Sequence, residues 1–368
     1  MVPQLGYIQL MITRSVIKKM NVVNIFHNLT EMSKHMPLQE CPEQPTRLTG
    51  IECAIKPLMA YCKSHLVTEL ADRRILEAEY GMDTVKRWED VCDSAGDGPV
   101  VDEICGDIYW SKDTMTAVRI AVTAARSAVQ TVLSAAVAGR IEHAFAIVRP
   151  PGHHCYNTPS GFCIVNNIVL AARVALTAGK RVAIVDWDYH FGDGTAVEFL
   201  ETRAVTFCSL HCAKDSHGRP TYPYSNIKGE TLAKRTEGRM FNIQWQKDDA
   251  DNSAYNYAFQ RVIIPAFARF RPDIILVSAG YDALDGDMLA GMKLTPNIFY
   301  ELTAQLKQLG VPIVCVLEGG YDPELLGRGV YETINSLLAP NRDEVVLDYC
   351  ASDRHVAIVD AVATSIGI

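Results

Sequence analysis

The chain has 368 residues, 48% of them hydrophobic and 21% charged, and its 35 basic and 43 acidic side chains leave a formal net charge of −8. This is the composition of a folded globular protein rather than a disordered one, and its acidic balance excludes a general attraction to nucleic acid or anionic membranes. Eleven cysteines, scattered from Cys41 to Cys350 without a CxxC pair, imply free thiols in a reducing compartment, nuclear or cytoplasmic, with an organelle as the remaining option.

Residues 1–20 read as an N-terminal extension. Arg14, Lys18 and Lys19 precede the first acid, Glu31, as in transit peptides, but the plainer reading is an irregular lead into a first strand near 22–26. The alanine-rich stretch 115–138, closed by Gly139, predicts a buried helix. Short β-branched runs at 144–148 (AFAIV), 182–185 (VAIV), 274–278 (IILVS) and 313–317 (IVCVL) predict buried parallel strands. Before the last of these, Thr295 is expected to cap a helix with Pro296 at its first position, a stripe of Ile298, Phe299, Leu302 and Leu306, and Gly310 at its end. The segments 93–99 and 213–238 read as loops. No apolar run is long and uncharged enough to predict a membrane span. The alternation predicts an α/β fold, a three-layer doubly wound, mostly parallel sheet with helices on both faces, in a single domain over 21–368.

Open α/β sheets bind ligands beyond the carboxyl ends of their strands. Here those ends carry RPPGHH (149–154), DWDYHFGDG (186–194), AGYDALDGD (279–287) and EGGYD (318–322). Alternation of Asp186, Asp188 and His190 would put three side chains on one side of an extended backbone. Asp188 and His190 with Asp282 would form a three-ligand cation site with open positions for water and substrate, the catalytic kind of site rather than the closed structural kind. Two oxygens and one nitrogen suit Zn(II), Fe(II) or Mn(II) alike. A lone DxD is commonly a cap or a solvated turn. The neighbouring pair His153 and His154, with Asp186 and Asp193 available as carboxylate partners, tips the constellation toward function.

Together with GFC (161–163), SLH (209–211) and GMKLTP (291–296), these strings resemble the zinc-dependent histone deacetylase family of the arginase/deacetylase fold, closer to its class II side, over about residues 22–340. The resemblance implies a chromatin-regulating hydrolase that removes acetyl groups from lysine side chains of histones or other proteins. It implies zinc on Asp188, His190 and Asp282, His154 as general base and acid paired with Asp193, His153 paired with Asp186 as electrostatic partner, and Tyr321 as hydrogen-bond donor to the substrate carbonyl. Gly161 and Phe162 match the acyl-lysine tunnel, and Asp107 a rim carboxylate for the substrate backbone. Leu289 falls where polyamine-selective relatives carry an acid, and Arg47 matches a cavity beneath the metal. Two structural potassium ions are implied, one on Asp186, Asp188, His190, Ser209 and Leu210, the other on Phe199, Thr202 and Val205.

The sequence departs from the family pattern at Phe191 and Met288. After SLH the segment CAKDSHGRPTYPYSNIKGE leaves the second tunnel wall open, with Tyr222 and Tyr224 as candidates. The expected partner is an acetylated protein or peptide, without direct nucleic acid or membrane binding; corepressors are compatible but unidentified. Alternatives are deacetylation of acetylated polyamines or other small amides, an arginase-like binuclear enzyme, and a non-catalytic acyl-lysine-binding scaffold. Tyr321 speaks against the scaffold, because the weakly active branch of the family carries histidine there.

Overall fold

Four runs of aliphatic residues become the central strands of one sheet, because only a fully buried strand can hide apolar side chains on both faces. A computed structural model describes residues 20–96, 98–224, 229–289, 291–340 and 350–368; the expected extension, up to residue 19, lies outside the described residues. In chain order the strands are β1 Val22–His27, β2 Lys63–Leu66, β3 Val100–Val101, β4 Tyr109–Trp110, β5 Glu142–Ala146, β6 Val182–Asp186, β7 Val205–Lys214, β8 Met240–Gln246, β9 Ile274–Ala279 and β10 Ile313–Leu317. Eight of them form a sheet in the order β2-β1-β5-β10-β9-β6-β7-β8. Every ladder in it is parallel; β3 and β4 form a separate antiparallel ribbon. Helices cover both faces, as the alternation predicts.

The helix Thr114–Val137 is long and apolar enough to cross a membrane by composition alone. It instead packs on β5, on β1 and on the helix Asn167–Thr177, with Ile120, Ala124, Ala128 and Val132 buried. Its two arginines are tied down at its flanks, Arg119 donating to the Ala71 carbonyl and Arg126 to that of Leu170. All eleven cysteines carry free thiols.

Two local expectations change. Thr295 does not cap its helix, which runs Asn297–Lys307 with no side-chain cap. Its hydroxyl accepts a hydrogen bond from Asn252 Nδ2 at 2.7 Å and donates to Asn297, tying this turn to the helix Asn252–Ala258 instead. The expected loop 213–238 begins on the last residues of β7 and contains the helix Gly229–Arg235.

β5, β10, β9 and β6 are adjacent in the sheet. Asp186 is aligned with Ser278, and Ser278 with Val316, so the four motif-bearing strand ends open at one level.

Candidate metal centre and active site

The segment after β6 turns sharply, and its carboxylates hold the turn by accepting backbone N–H groups. Asp188 Oδ1 accepts from His190 N at 2.8 Å and Asp188 Oδ2 from Gly319 N at 2.9 Å. Asp282 Oδ1 accepts from Tyr189 N at 2.8 Å. Each carboxylate thus fastens its own loop to a neighbouring one. A Cβ at Gly280 would collide with the Asp188 carboxylate, and one at Gly319 would crowd both Asp188 and Asp282, which is why glycine follows β9 and β10 here.

With these tethers in place, His190 Nδ1 lies 2.9 Å from Asp282 Oδ2 and 3.3 Å from Asp188 Oδ1. One donor atom from each of Asp188, His190 and Asp282 falls within 4.8 Å of the other two. Both aspartates are fully buried, while 15% of the His190 side chain is exposed, so the centre is reachable from one side. Burial, and then repulsion from Asp188, push Asp282 up to about 7. Burial opposes the charge on His190, but its bonds to Asp188 and Asp282 prevail and raise it to about 9. Two buried carboxylates sharing one imidazole form an electron-rich pocket, which fits a divalent cation with nitrogen and oxygen ligands.

Asp186 has a different task. It is fully buried, its Oδ1 accepts from Asp188 N at 3.1 Å, and its Oδ2 takes His153 Nδ1 at 2.9 Å. His154 Nδ1 pairs with Asp193 Oδ1 at 2.8 Å, at the start of the helix Asp193–Glu198. The two imidazoles lie 4.1 Å apart, and His154 is 5.9 Å from His190. Their surroundings separate them. Burial opposes charge on His153, but the carboxylates of Asp188 and Asp186 outweigh it and hold that imidazole well above its ordinary value. Burial, reinforced by the charge on His153, pulls His154 down to about 4 against the attraction of Asp193. The two imidazoles are thus pushed in opposite directions, His153 toward its charged form and His154 toward its neutral one.

Around this centre stand the aromatic rings. Phe162, at a left-handed φ of 64°, meets the Tyr321 ring edge-on at 5.7 Å. Tyr222 stands edge-on to His154 at 5.0 Å and to His190 at 6.1 Å, with its hydroxyl 2.7 Å from Ser160 Oγ. Of the two candidates for the second wall, Tyr222 therefore lies at the centre, while Tyr224 is 67% exposed. Gly161 passes so close to His154 and Tyr222 that any side chain would collide with both. Asp107 is brought to the same rim, where its Oδ1 accepts from Gly161 N at 3.3 Å and from the Cys105 thiol at 2.8 Å. Leu289 is exposed, its backbone N–H held by Asp287.

Beneath the site is a buried polar floor that sequence reading only touched at Arg47. Glu43 Oε1 accepts from Arg47 Nη1 and Arg149 Nε, both at 2.8 Å. Arg47 also donates to the carbonyls of Gly320, at 2.6 Å, and Glu318, and its guanidinium lies over the Tyr321 ring at 5.2 Å. Glu318 Oε2 accepts from Gly152 N and His153 N at 2.6 and 3.1 Å, which fixes the histidine pair from below. Burial pushes Glu318 up to about 8. His153, Cys163 and Glu318 form a second buried group of closely spaced donors. The sequence signal for Glu318 was its place in EGGYD and that for Arg149 its place in RPPGHH; Glu43 was not singled out.

Of the residues implied for potassium, Asp186 and Ser209 are aligned partners on β6 and β7, with Leu210 next. Phe199 and Thr202 lie on the turn before β7 and Val205 is the first residue of that strand; the Thr202 and Val205 carbonyls accept hydrogen bonds from Arg239.

Residues 41–337 match the family described as the histone deacetylase domain. The chain is 32% identical to histone deacetylase 15 of Arabidopsis thaliana over 82% of its own length and 54% of the plant protein. It is 33% identical to the polyamine deacetylase HDAC10 of Danio rerio over 84% of its own length and 46% of the fish protein. The crystal structure of the HDA15 HD domain superposes with a TM-score of 0.82 at 27% identity, covering 94% of both chains. The chain spans between 32% and 54% of the length of four curated relatives.

Proposed function

Because the chain belongs to the histone deacetylase family and is class II-like in character, we propose that it is a zinc-dependent hydrolase that removes acetyl groups from lysine side chains of proteins, histones among them. Family and fold support a deacetylase-type hydrolytic activity. The observation that carries the finer reading is the convergence of Asp188, His190 and Asp282 beside a neutral imidazole.

Asp188, His190 and Asp282 would hold the zinc, which when bound supplies Lewis acidity toward the amide carbonyl and brings the pKa of a water toward about 7. His154, with Nδ1 committed to Asp193, presents Nε2 as the base that takes the water proton and later returns it to the departing lysine amine. His153, held charged by Asp186 and Asp188, adds positive potential where negative charge develops. The Tyr321 phenol is pushed well above its ordinary value by burial and by Asp282, so it stays protonated and donates to the carbonyl oxygen as that oxygen gains charge. Phe162 and Tyr222 flank the lysine stem and exclude water. Asp107 at the rim takes the substrate's backbone N–H groups. The apolar Leu289 offers a polyamine no counter-charge, which favours a peptide over an acetylated polyamine.

The test is turnover of an acetyl-lysine peptide by the zinc-loaded protein, with and without a hydroxamate, against acetylated polyamine as a parallel substrate. Hydroxamate-sensitive peptide turnover exceeding that of the polyamine is expected. Preferred polyamine turnover would reverse the substrate assignment, and tight peptide binding without turnover would make the chain an acyl-lysine-binding scaffold.

A further inference from the structure

The turn between the helix Asp193–Glu198 and β7 presents a cluster of backbone carbonyls at the amino end of the sheet, away from the active site. The resemblance implies that the carbonyls of Phe199, Thr202 and Val205 hold a potassium ion. Their partners here differ. Arg239 Nη1 lies 2.9 Å from Thr202 O and 2.8 Å from Val205 O, and Arg239 Nη2 lies 3.2 Å from Leu200 O. The Phe199 carbonyl accepts from Thr202 N at 3.0 Å, and the Thr202 carbonyl also accepts from Val205 N at 3.1 Å. One guanidinium nitrogen therefore fills the point from which an ion would reach both Thr202 and Val205.

Arg239 is anchored for this position. It is the residue before β8, its carbonyl accepts from Thr206 Oγ1 at 2.6 Å and Phe207 N at 3.2 Å, and its N–H donates to Thr236 O at 3.1 Å. Guanidinium carries the same single positive charge as potassium, does not deprotonate, and presents a planar fork of donors to several carbonyls at once. Carbonyls just past a helix end are rich in negative partial charge and favour such a cation. We propose that Arg239 is a built-in replacement for the second potassium ion, so that this chain binds no monovalent cation at the 199–205 turn. The far end of the helix that carries Asp193 is then fixed without regard to potassium concentration. The inference is independent of the deacetylase reading, since none of its measurements requires turnover.

The experiment uses thallous ion, a potassium surrogate located by its anomalous scattering, in crystals of the full chain and of Arg239→Ala, together with thermal unfolding in potassium and in N-methylglucamine salts. In the unsubstituted protein, no thallium peak is expected between the Thr202 and Val205 carbonyls; a peak there overturns the proposal outright. In Arg239→Ala, a peak is expected at that point, with a potassium-induced rise in Tm several degrees larger than in the parent. Any ion on Asp186, Ser209 and Leu210 contributes equally to both proteins, so the difference reports this turn alone. An Arg239→Ala protein with no peak and the parent's potassium response would show that the turn is no cation site, and would equally overturn it. Should Arg239→Ala fail to fold, the thallium result on the unsubstituted protein decides by itself.

Discussion

Replacing Tyr321 with Phe removes one oxygen and leaves everything else that the ring does. The ring keeps its edge-on contact with Phe162 at 5.7 Å and its place under the Arg47 guanidinium at 5.2 Å, so folding stability should change by no more than the net value of one hydrogen bond, about 1 kcal/mol. Catalysis should suffer more. The phenol is buried and protonated, and a preorganised donor in a dry site does most of its work after the carbonyl has become an oxyanion. Loss of one such donor costs about 10²–10³ in kcat, or about 3–4 kcal/mol. Substrate affinity depends on the tunnel walls, so KM should move little. Steady-state and single-turnover hydrolysis of an acetyl-lysine peptide, with thermal unfolding as the control for folding, measures both. A kcat equal to that of the parent in a folded Tyr321→Phe protein would remove this hydroxyl from the mechanism; a loss confined to KM would make it a binding group instead.

Three further outcomes follow from the geometry. Glu43→Gln strips the shared carboxylate from two buried guanidiniums, Arg47 and Arg149, and should cost about 3–5 kcal/mol in denaturant unfolding; a loss below 1 kcal/mol, on the scale of a surface pair, would refute that account. Tyr222→Ala should reduce kcat/KM by about 10- to 100-fold through the lost wall of about 1.5–3 kcal/mol, while Tyr222→Phe should stay near the parent; equal losses in both would place the effect in the hydroxyl. His143 is drawn down to about 4 by burial and then by the charge on Lys307. Below pH 6.5 the unfolded chain binds a proton that the folded chain refuses, so stability should fall as pH drops from 6.5 toward 4, by on the order of 3 kcal/mol in total. In His143→Gln the slope of unfolding free energy against pH should flatten over this window, and an unchanged slope would assign the loss to other groups.

What could be read from the sequence followed from local chemistry. The strands β5, β6, β9 and β10 announced themselves because burial on both faces demands unbroken aliphatic runs, and their carboxyl ends carried the site within a few residues of each run. β2, an exposed edge strand of sequence KSHL, had no such signature, and β8 mixes polar and apolar residues, so both went unread. The candidate ligands Asp188, His190 and Asp282, and the presence of carboxylates able to partner His153 and His154, were legible from alternation and adjacency, whereas which carboxylate pairs with which histidine came only from the family resemblance. Tyr222 was not singled out over Tyr224, since only the path of the irregular chain after β7 turns one ring toward His154 and the other to solvent. Glu43 and Arg149 lie 106 positions apart, and their bond exists only because the floor of the sheet joins them. Arg239 escaped for the same reason, since its role depends on carbonyls whose identity no side-chain pattern records.

Zinc titration of the metal-free protein, followed calorimetrically and by elemental analysis after gel filtration, bears most directly on the centre formed by Asp188, His190 and Asp282. The parent should retain one zinc, and Asp282→Ala should lose it while keeping its fold by circular dichroism. Undiminished zinc retention in Asp282→Ala, or none in the parent, would contradict the assignment on which the proposed chemistry depends.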